Sequence, residues 1–250
     1  MYYKSLLRGE RMRNDDFDDY RSGYLDYEEI NRIVAQKMAG CILWMVVGLL
    51  VSGISGFLVM TNVEIMRLIF GTSLYYVLFF VELGLVFTFS MMIMKASVGM
   101  LRGMFLLYAV LNGVTLSIIG YIYTGESIIY VFLGTVVYYA CLALYGYLTR
   151  ENLGRYLPYV MAGLIALIVV SLINIFMKND MFYWIMSYAG VIIFSAFTAI
   201  DMNIIRHRLT DYAMEDNTIL NRIQIAGALN LYLDFINLFL YLLRLFGKKR

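Results

Sequence analysis

The chain has 250 residues, of which 62% are apolar and only 15% are charged. A water-soluble domain of this length cannot bury so much apolar surface, so the composition excludes a soluble globular protein and favours one that lies in lipid. Runs of eighteen or more uncharged residues are typical of membrane-spanning helices, whereas barrel strands would alternate. The net charge of +2 is nearly balanced, and we expect no nucleic-acid partner.

Residues 1–37 form a polar segment that contains the acidic, tyrosine-rich stretch DDFDDYRSGYLDYEE. Such a segment cannot bury enough apolar surface to fold alone, so we predict a cytosolic acidic tail over residues 1–37 and a transmembrane domain over residues 38–250. Asp26 and Glu29 have the spacing of a capping box, which indicates a helical lead-in to the first span. We expect no secretory signal peptide, because the first apolar run lacks a cleavage site.

Seven apolar runs are long enough to cross about 30 Å of hydrocarbon as helices. The predicted spans cover residues 38–60, 74–95, 103–122, 128–148, 157–177, 182–205 and 224–246. The connectors are short, apart from one of about eighteen residues between the sixth and seventh runs. The expected fold class is an all-α membrane protein, a seven-transmembrane helix bundle.

Two features inside the spans have structural interpretations. Gly48, Ser52 and Gly56 form a stripe of small residues on the first span, which predicts close packing against another helix. Cys41 and Cys141 lie in apolar runs, where we interpret them as small buried hydrophobic residues rather than as a disulfide or metal ligands.

The distribution of basic residues predicts the orientation. With seven crossings, 14 of the 20 Lys and Arg residues lie on the side of the N-terminus. Basic loops stay in the cytosol, so we predict a cytosolic N-terminus. The basic residues at the C-terminus would then lie outside, which leaves open a seventh segment that turns back to the cytosol.

Three acidic residues lie well inside the predicted spans: Glu82 in the second, Asp201 in the sixth and Asp234 in the seventh. Ionisable groups in hydrocarbon are costly unless they are paired, neutralised or hydrated, so each is a candidate functional residue. Asn230, Asn237 and Tyr241 share a helix face with Asp234, which predicts a polar stripe that faces the bundle interior. Glu82 has two open interpretations, a functional group or a residue that faces a water-filled outer vestibule.

Asp201 and Asp234 should lie at a similar depth, within about two helical turns of each other. Two carboxylates in a low dielectric cannot both ionise easily, so the pair would share a proton and act as a pH switch. When deprotonated, the same oxygens suit a transient calcium ion. Lys95 is the first candidate for a basic latch on the pair and Arg102 the second, with lipid phosphates as their alternative partners. The alternative for the pair is a structural hydrogen bond without transport.

Three stretches are similar to the transmembrane Bax inhibitor motif family, in its bacterial form: LLYAVLNGVTLSIIGYIYT, IIFSAFTAIDMNIIRHR and GALNLYLDFINLFLYLLRLFG. The resemblance implies a seven-helix bundle whose last helix is surrounded by the other six. It also implies a pH-sensitive calcium leak in which Asp201 and Asp234 bind the proton and a basic residue of the second helix latches onto them. Aligned through KASVGM, that basic position is Lys95, where family members often carry an arginine. A lysine lacks the bidentate fork, which predicts a weaker latch.

The resemblance therefore predicts a calcium leak channel of the bacterial plasma membrane that is not an enzyme and needs no cofactor, with calcium, protons and the bilayer as its partners. A proton-coupled cation exchanger would use the same carboxylates. A third hypothesis is a non-transporting regulator of membrane stress or cell death that binds other membrane proteins. An intramembrane aspartyl protease is disfavoured, because such enzymes resemble one another in a Gly-x-Gly-Asp signature that Asp201 and Asp234 lack.

Overall fold

We describe the protein from a computed structural model that covers residues 14–177 and 179–250, with side chains from residue 27 onward. These residues form almost only helices. The α-helices are α1 (Asn14–Thr61), α2 (Val63–Phe70), α3 (Leu74–Met92), α4 (Val98–Leu116), α5 (Ile119–Ile122), α6 (Gly125–Leu148), α7 (Leu157–Met177), α8 (Asp180–Asp211) and α9 (Asn217–Phe246). A 3-10 turn over Leu153–Tyr156 leads into α7.

Within the described residues, seven helical segments are long and apolar enough to cross a membrane. They are α1, α3, α4 continued by α5, α6, α7 with its 3-10 turn, α8 and α9, and each overlaps one predicted span. The prediction of an all-α, seven-helix membrane protein is confirmed. Large apolar side chains remain exposed along these helices, as lipid-facing surfaces require, and Phe176 on α7 is 87% exposed.

The connection between α8 and α9 is shorter than predicted. The two helices end and begin at Asp211 and Asn217, so the predicted connector of about eighteen residues is largely helical. Hydropathy reports the part of a helix that lies in hydrocarbon, and polar turns can extend the helix beyond it. Asp216 caps the start of α9 by accepting a hydrogen bond from the Thr218 amide at 3.3 Å. The Thr218 side chain and amide hold the pKa of Asp216 below its usual value.

The first helix begins before the predicted first span. Helix α1 runs without a break from Asn14 to Thr61, so the predicted helical lead-in to the first span is confirmed. The capping-box interpretation of Asp26 and Glu29 as its start is wrong, because the helix already continues for three turns before them. The boundary near residue 37 is therefore a change of composition within one helix. The cytosolic location of residues 1–37 stays a prediction, and residues 1–13 lie outside the described part of the chain.

The small residues of α1 pack against α4 as predicted. A Cβ atom at Gly56 would lie 2.8 Å from the carbonyl oxygen of Gly113 on α4. Ser52 donates a hydrogen bond of 2.6 Å to the carbonyl of Ala109, also on α4.

The cysteine prediction holds for Cys41, which is buried, and is wrong for Cys141, which is exposed on α6. A membrane helix buries only one face in protein, so an apolar run does not tell which residues are inside.

Helix α9 is the most buried of the seven spans, because 61% of its 18-residue apolar stretch lies inside the protein. It packs against α1, α4, α6 and α8. Beyond its end, Lys249 pairs with Tyr123 and the amide of Arg250 donates to the carbonyl of Ile122, next to the start of α6. The seventh segment is thus one unbroken helix of 30 residues, about 45 Å long, and the alternative in which it turns back is wrong.

Candidate functional site

Asp234 lies near the middle of α9 and is only 5% exposed. Its Oδ2 atom is fully buried and has no hydrogen-bond partner among the residues that the structure describes. A buried carboxylate oxygen without a partner is costly, and a proton or a cation would remove that cost. The local geometry therefore fits a group that exchanges protons or contacts a passing ion.

Asp201 of α8 lies beside Asp234, close enough for the charges of the two carboxylates to interact. The side-chain amide of Asn230, one turn before Asp234 on α9, lies where it can donate to the Asp201 carboxylate. Asp201 is half-buried and Asn230 is exposed, whereas Asp234 is enclosed. The structure thus brings together the two acids, from helices adjacent in sequence, and one of the two predicted asparagines.

Tyr139 of α6 forms a third side of this site, which sequence reasoning missed. It is buried close to both carboxylates, and its hydroxyl donates a hydrogen bond of 3.0 Å to the carbonyl of Leu231 on α9. Its ring packs against Phe235 in an edge arrangement with centroids 5.3 Å apart. The run GTVVYYACLALYG contains several tyrosines, and nothing in its pattern tells which of them faces the pair.

The rest of the predicted stripe on α9 has other partners. The amide of Asn237 donates a hydrogen bond of 2.8 Å to the carbonyl of Leu233 in its own helix. Tyr241 stacks on Phe194 of α8, with ring centroids 5.7 Å apart. The predicted stripe therefore faces α8 through Asn230 and Tyr241, whereas Asn237 makes its hydrogen bond within α9.

Neither candidate latch residue contacts the pair in this arrangement. Lys95 is exposed beyond the end of α3. Arg102 of α4 lies over the ring of Trp44, 5.2 Å from its centroid. Asp201 instead interacts electrostatically with Arg208, which lies two turns further along α8. Arg208 was not among the latch residues predicted from the sequence. A latch by Lys95 or Arg102 stays a prediction that would require movement of α3 or α4 relative to α8 and α9.

Another arginine takes the position at the end of α3. Arg222 of α9 donates hydrogen bonds of 2.8 Å and 3.1 Å to the carbonyls of Met94 and Ala96. Cations near a helix C-terminus stabilise its unpaired carbonyls and complement the helix dipole. This contact ties the loop that carries Lys95 to the start of the helix that carries Asp234.

Glu82 belongs to a second buried network, which lies on another face of α9. Its carboxylate accepts hydrogen bonds from Thr115 at 3.0 Å and from Asn112 at 3.3 Å. The side-chain oxygen Oδ1 of Asn112 accepts a hydrogen bond from the hydroxyl of Tyr232 at 2.8 Å, and that hydroxyl lies 2.7 Å from Ser52 Oγ. Because Tyr232 and Asp234 are two residues apart, their side chains point to different sides of the helix. We call Glu82, Asn112, Thr115, Tyr232 and Ser52 the Glu82 network.

The pair supplies only part of a calcium coordination shell. Within residues 27–177 and 179–250, no three His, Cys, Asp or Glu side chains come together as metal ligands. Calcium takes six to eight oxygen ligands, so an ion at Asp201 and Asp234 would keep several waters. That composition suits an ion that passes through better than one held permanently.

Comparison with known proteins agrees with the fold. Residues 35–250 match the family described as inhibitor of apoptosis-promoting Bax1. The inner membrane protein YbhL of Escherichia coli strain K12 is 37% identical over 208 residues, 83% of this chain and 89% of that protein. An uncharacterized protein of Borreliella burgdorferi is 37% identical over 82% of this chain and 89% of its own length. Protein RP147 of Rickettsia prowazekii, also uncharacterized, is 32% identical over 83% and 87%.

The family match spans all seven membrane helices, including the two that carry the aspartate pair. Two of the relatives are identical to this chain at more than a third of the aligned positions, over most of their own length. The protein is a multi-pass membrane protein of the Bax inhibitor family.

Proposed function

We propose that the protein is a pH-sensitive calcium leak channel in which Asp201 and Asp234 form both the proton sensor and the ion contact. The observation that carries the proposal is the juxtaposition of two carboxylates from α8 and α9, with one oxygen of Asp234 buried and unpartnered among the described residues. Two such groups favour sharing a proton, and their oxygens are the ligand type that calcium prefers.

Gating would act through the packing of α8 and α9. When the shared proton is lost, the two carboxylates repel each other, and a cation or a movement of the helices must compensate. The long helices α8 and α9 share the most extensive contact in the bundle, so a change at the pair alters how they pack. A basic latch from Lys95 or Arg102 is part of this proposal, as is a position of α9 at the centre of the bundle. The proposed topology has a cytosolic N-terminus in the bacterial plasma membrane and a transport role rather than an enzymatic one.

The test is calcium flux into proteoliposomes between about pH 5 and pH 8 for the unmodified protein and for Asp201→Asn and Asp234→Asn. Asparagine is a neutral mimic of a protonated aspartate. Each variant should therefore lose the pH dependence and show, at every pH, the flux that the unmodified protein shows at the acidic end of the range. Asp180→Asn, on an exposed residue in the first turn of α8, is the matched control and should keep the full pH profile.

Identical flux and pH profiles in all four proteins would refute the proposal. Stoichiometric proton counterflow in the same vesicles would identify a proton-coupled cation exchanger instead. Absence of calcium flux at every pH, from a folded and reconstituted protein, would favour the non-transporting regulator.

A further inference from the structure

A groove of about 900 Å³ runs along the outside of the bundle between α1 and α6. Its walls are formed by a face of α1 that includes Ala35, Ala39 and Gly53, and by the facing side of α6. The surface of the groove is almost wholly apolar. In a membrane-spanning protein such a laterally open groove is filled by apolar material, and its volume lies in the range of roughly 300 to 1,000 Å³ typical of small-molecule sites.

One end of the groove is basic. Tyr147, near the end of α6, lines the groove, and the guanidinium of Arg206 on α8 lies 5.7 Å from the centroid of its ring. Arg206 also donates hydrogen bonds to the carbonyls of Tyr147 and Thr149, both through Nη1, so its other N–H groups remain for a ligand. On the opposite wall, the exposed Arg32 lies one turn before Ala35 on the same face of α1.

This combination selects one class of occupant. An acyl chain matches the apolar walls, and a phosphate diester matches two arginines at the mouth, because guanidinium groups bind phosphate oxygens strongly. Basic pockets between membrane helices are a known setting for anionic lipid head groups. A second copy of the chain would fill the apolar part but would have to bring an acidic group to Arg206 and Arg32.

The floor of the groove belongs to the helix that carries Asp234. Leu231 and Phe235 of α9 line it, and they bracket Asp234 in sequence. Tyr139 also lines the groove, and it is the residue that donates to the Leu231 carbonyl beside the aspartate pair. An occupant of the groove therefore contacts the back of the site through Tyr139 and α9.

We propose that the groove between α1 and α6 is a binding site for an anionic phospholipid, with one acyl chain along the groove and the phosphate between Arg206 and Arg32. Binding of this lipid does not depend on the proposed calcium leak. A further consequence, that the lipid shifts the pH dependence of calcium flux through Tyr139 and α9, does rest on the proposed function.

Lipid retention tests the site directly. The full chain is purified in detergent, incubated with equal amounts of phosphatidylglycerol and phosphatidylcholine, and analysed by native mass spectrometry. We expect one retained phosphatidylglycerol in preference to phosphatidylcholine. Gly53→Phe should lose it, because Gly53 lines the groove and a side chain there meets open space, so the ring fills the groove without a clash. Gly84→Phe on α3, where a side chain also meets open space, is the matched control and should retain the lipid.

The arginines are tested in the same assay. Arg32→Gln should lower the preference for phosphatidylglycerol roughly fivefold per charge removed and leave retention of phosphatidylcholine unchanged. Arg206→Gln should lower the preference by a similar factor. If loss of the hydrogen bonds to the Tyr147 and Thr149 carbonyls unfolds this variant, Arg32→Gln still tests the site. Arg155→Gln, an exposed arginine paired with Glu151 near the same end of the bundle, is the control.

Equal retention of the two lipids, or equal retention by the Gly53→Phe and Gly84→Phe variants, would overturn the proposal. A dimer that survives without lipid and is lost in Gly53→Phe would assign the groove to a second copy of the chain. Lipid retention with no calcium flux would leave this site standing while the leak-channel proposal fails.

Discussion

The buried acids of this protein are in opposite hydrogen-bonding situations. Both oxygens of Glu82 accept hydrogen bonds, whereas Oδ2 of Asp234 accepts none from the described residues. A satisfied carboxylate holds its neighbours in place, and an unsatisfied one gains free energy from a proton or a cation. At the scale of single residues, the hydrogen bonds of Glu82 therefore fit a structural role, and the unpartnered oxygen of Asp234 fits the proposed proton sensor.

Asn112 is the residue on which the Glu82 network depends. It donates to Glu82 and accepts from Tyr232, so Asn112→Ala takes one hydrogen-bond partner from each of two buried polar groups and leaves them only Thr115 and Ser52, respectively. We expect the free energy of unfolding in detergent to fall by at least ~2 kcal/mol, since each such group costs about 1 to 3 kcal/mol. Thr88→Ala, which removes an exposed hydroxyl bonded only to Gly84 in its own helix, should change it by less than about 0.5 kcal/mol. Equal losses in the two variants would show that the network does not stabilise the fold.

The sequence was sufficient to predict the two aspartates of the candidate site and one neighbour, Asn230, and it was not sufficient to predict the tyrosines around the buried acids. An aspartate inside an apolar run is visible because its burial is costly wherever the helix lies. Tyr139 and Tyr232 are not visible, because a tyrosine in an apolar run faces lipid as readily as protein, and only the packing of helices decides which. Lys95 lies exposed beyond the end of α3 in this arrangement, and its place near the membrane edge in the sequence does not specify which helix lies opposite it.

At the scale of helices, the contact between α1 and α4 is a close approach of two backbones. A Cβ at Gly113 would overlap the α1 backbone at Ser52, just as one at Gly56 would meet the backbone of Gly113. Backbone atoms cannot rotate away as side chains do, so this contact depends on the absence of a Cβ on both sides. The stripe of small residues was predictable from sequence for that reason, but its partner helix was not.

Gly56→Ala tests this contact, with Gly53→Ala as its control on the same helix. The added methyl group at Gly56 meets the Gly113 carbonyl at 2.8 Å and should lower the free energy of unfolding by roughly 1 to 3 kcal/mol. At Gly53 the methyl group meets nothing within 4 Å and should be neutral or stabilising by up to about 1 kcal/mol. Denaturation followed by circular dichroism in detergent measures both. A stabilising Gly56→Ala would show that α1 and α4 separate easily.

At the scale of the whole molecule, the two ends of α9 lie at opposite ends of the bundle. Near its start, Lys37 of α1 donates hydrogen bonds to Asn217 and Asn221 at 3.0 Å and 2.7 Å. Beyond its other end, the backbone of Lys248 accepts from Thr124, next to the start of α6. The apolar lengths of the seven spans were predictable because the thickness of hydrocarbon sets them. The anchoring of the C-terminus was not, because it depends on backbone hydrogen bonds between distant segments.

This arrangement predicts the sides of the membrane on which two exposed residues lie. In a background with Cys41→Ala and Cys141→Ala, a membrane-impermeant maleimide should label Lys248→Cys in intact spheroplasts and Glu215→Cys only after the membrane is opened. Both positions are exposed and flank α9, so they differ in side rather than in accessibility. Labelling of both from the same side would mean that α9 does not cross the membrane. The reverse pattern would keep the crossing and invert the orientation, since the excess of basic residues on the N-terminal side would then fail to hold that side in the cytosol.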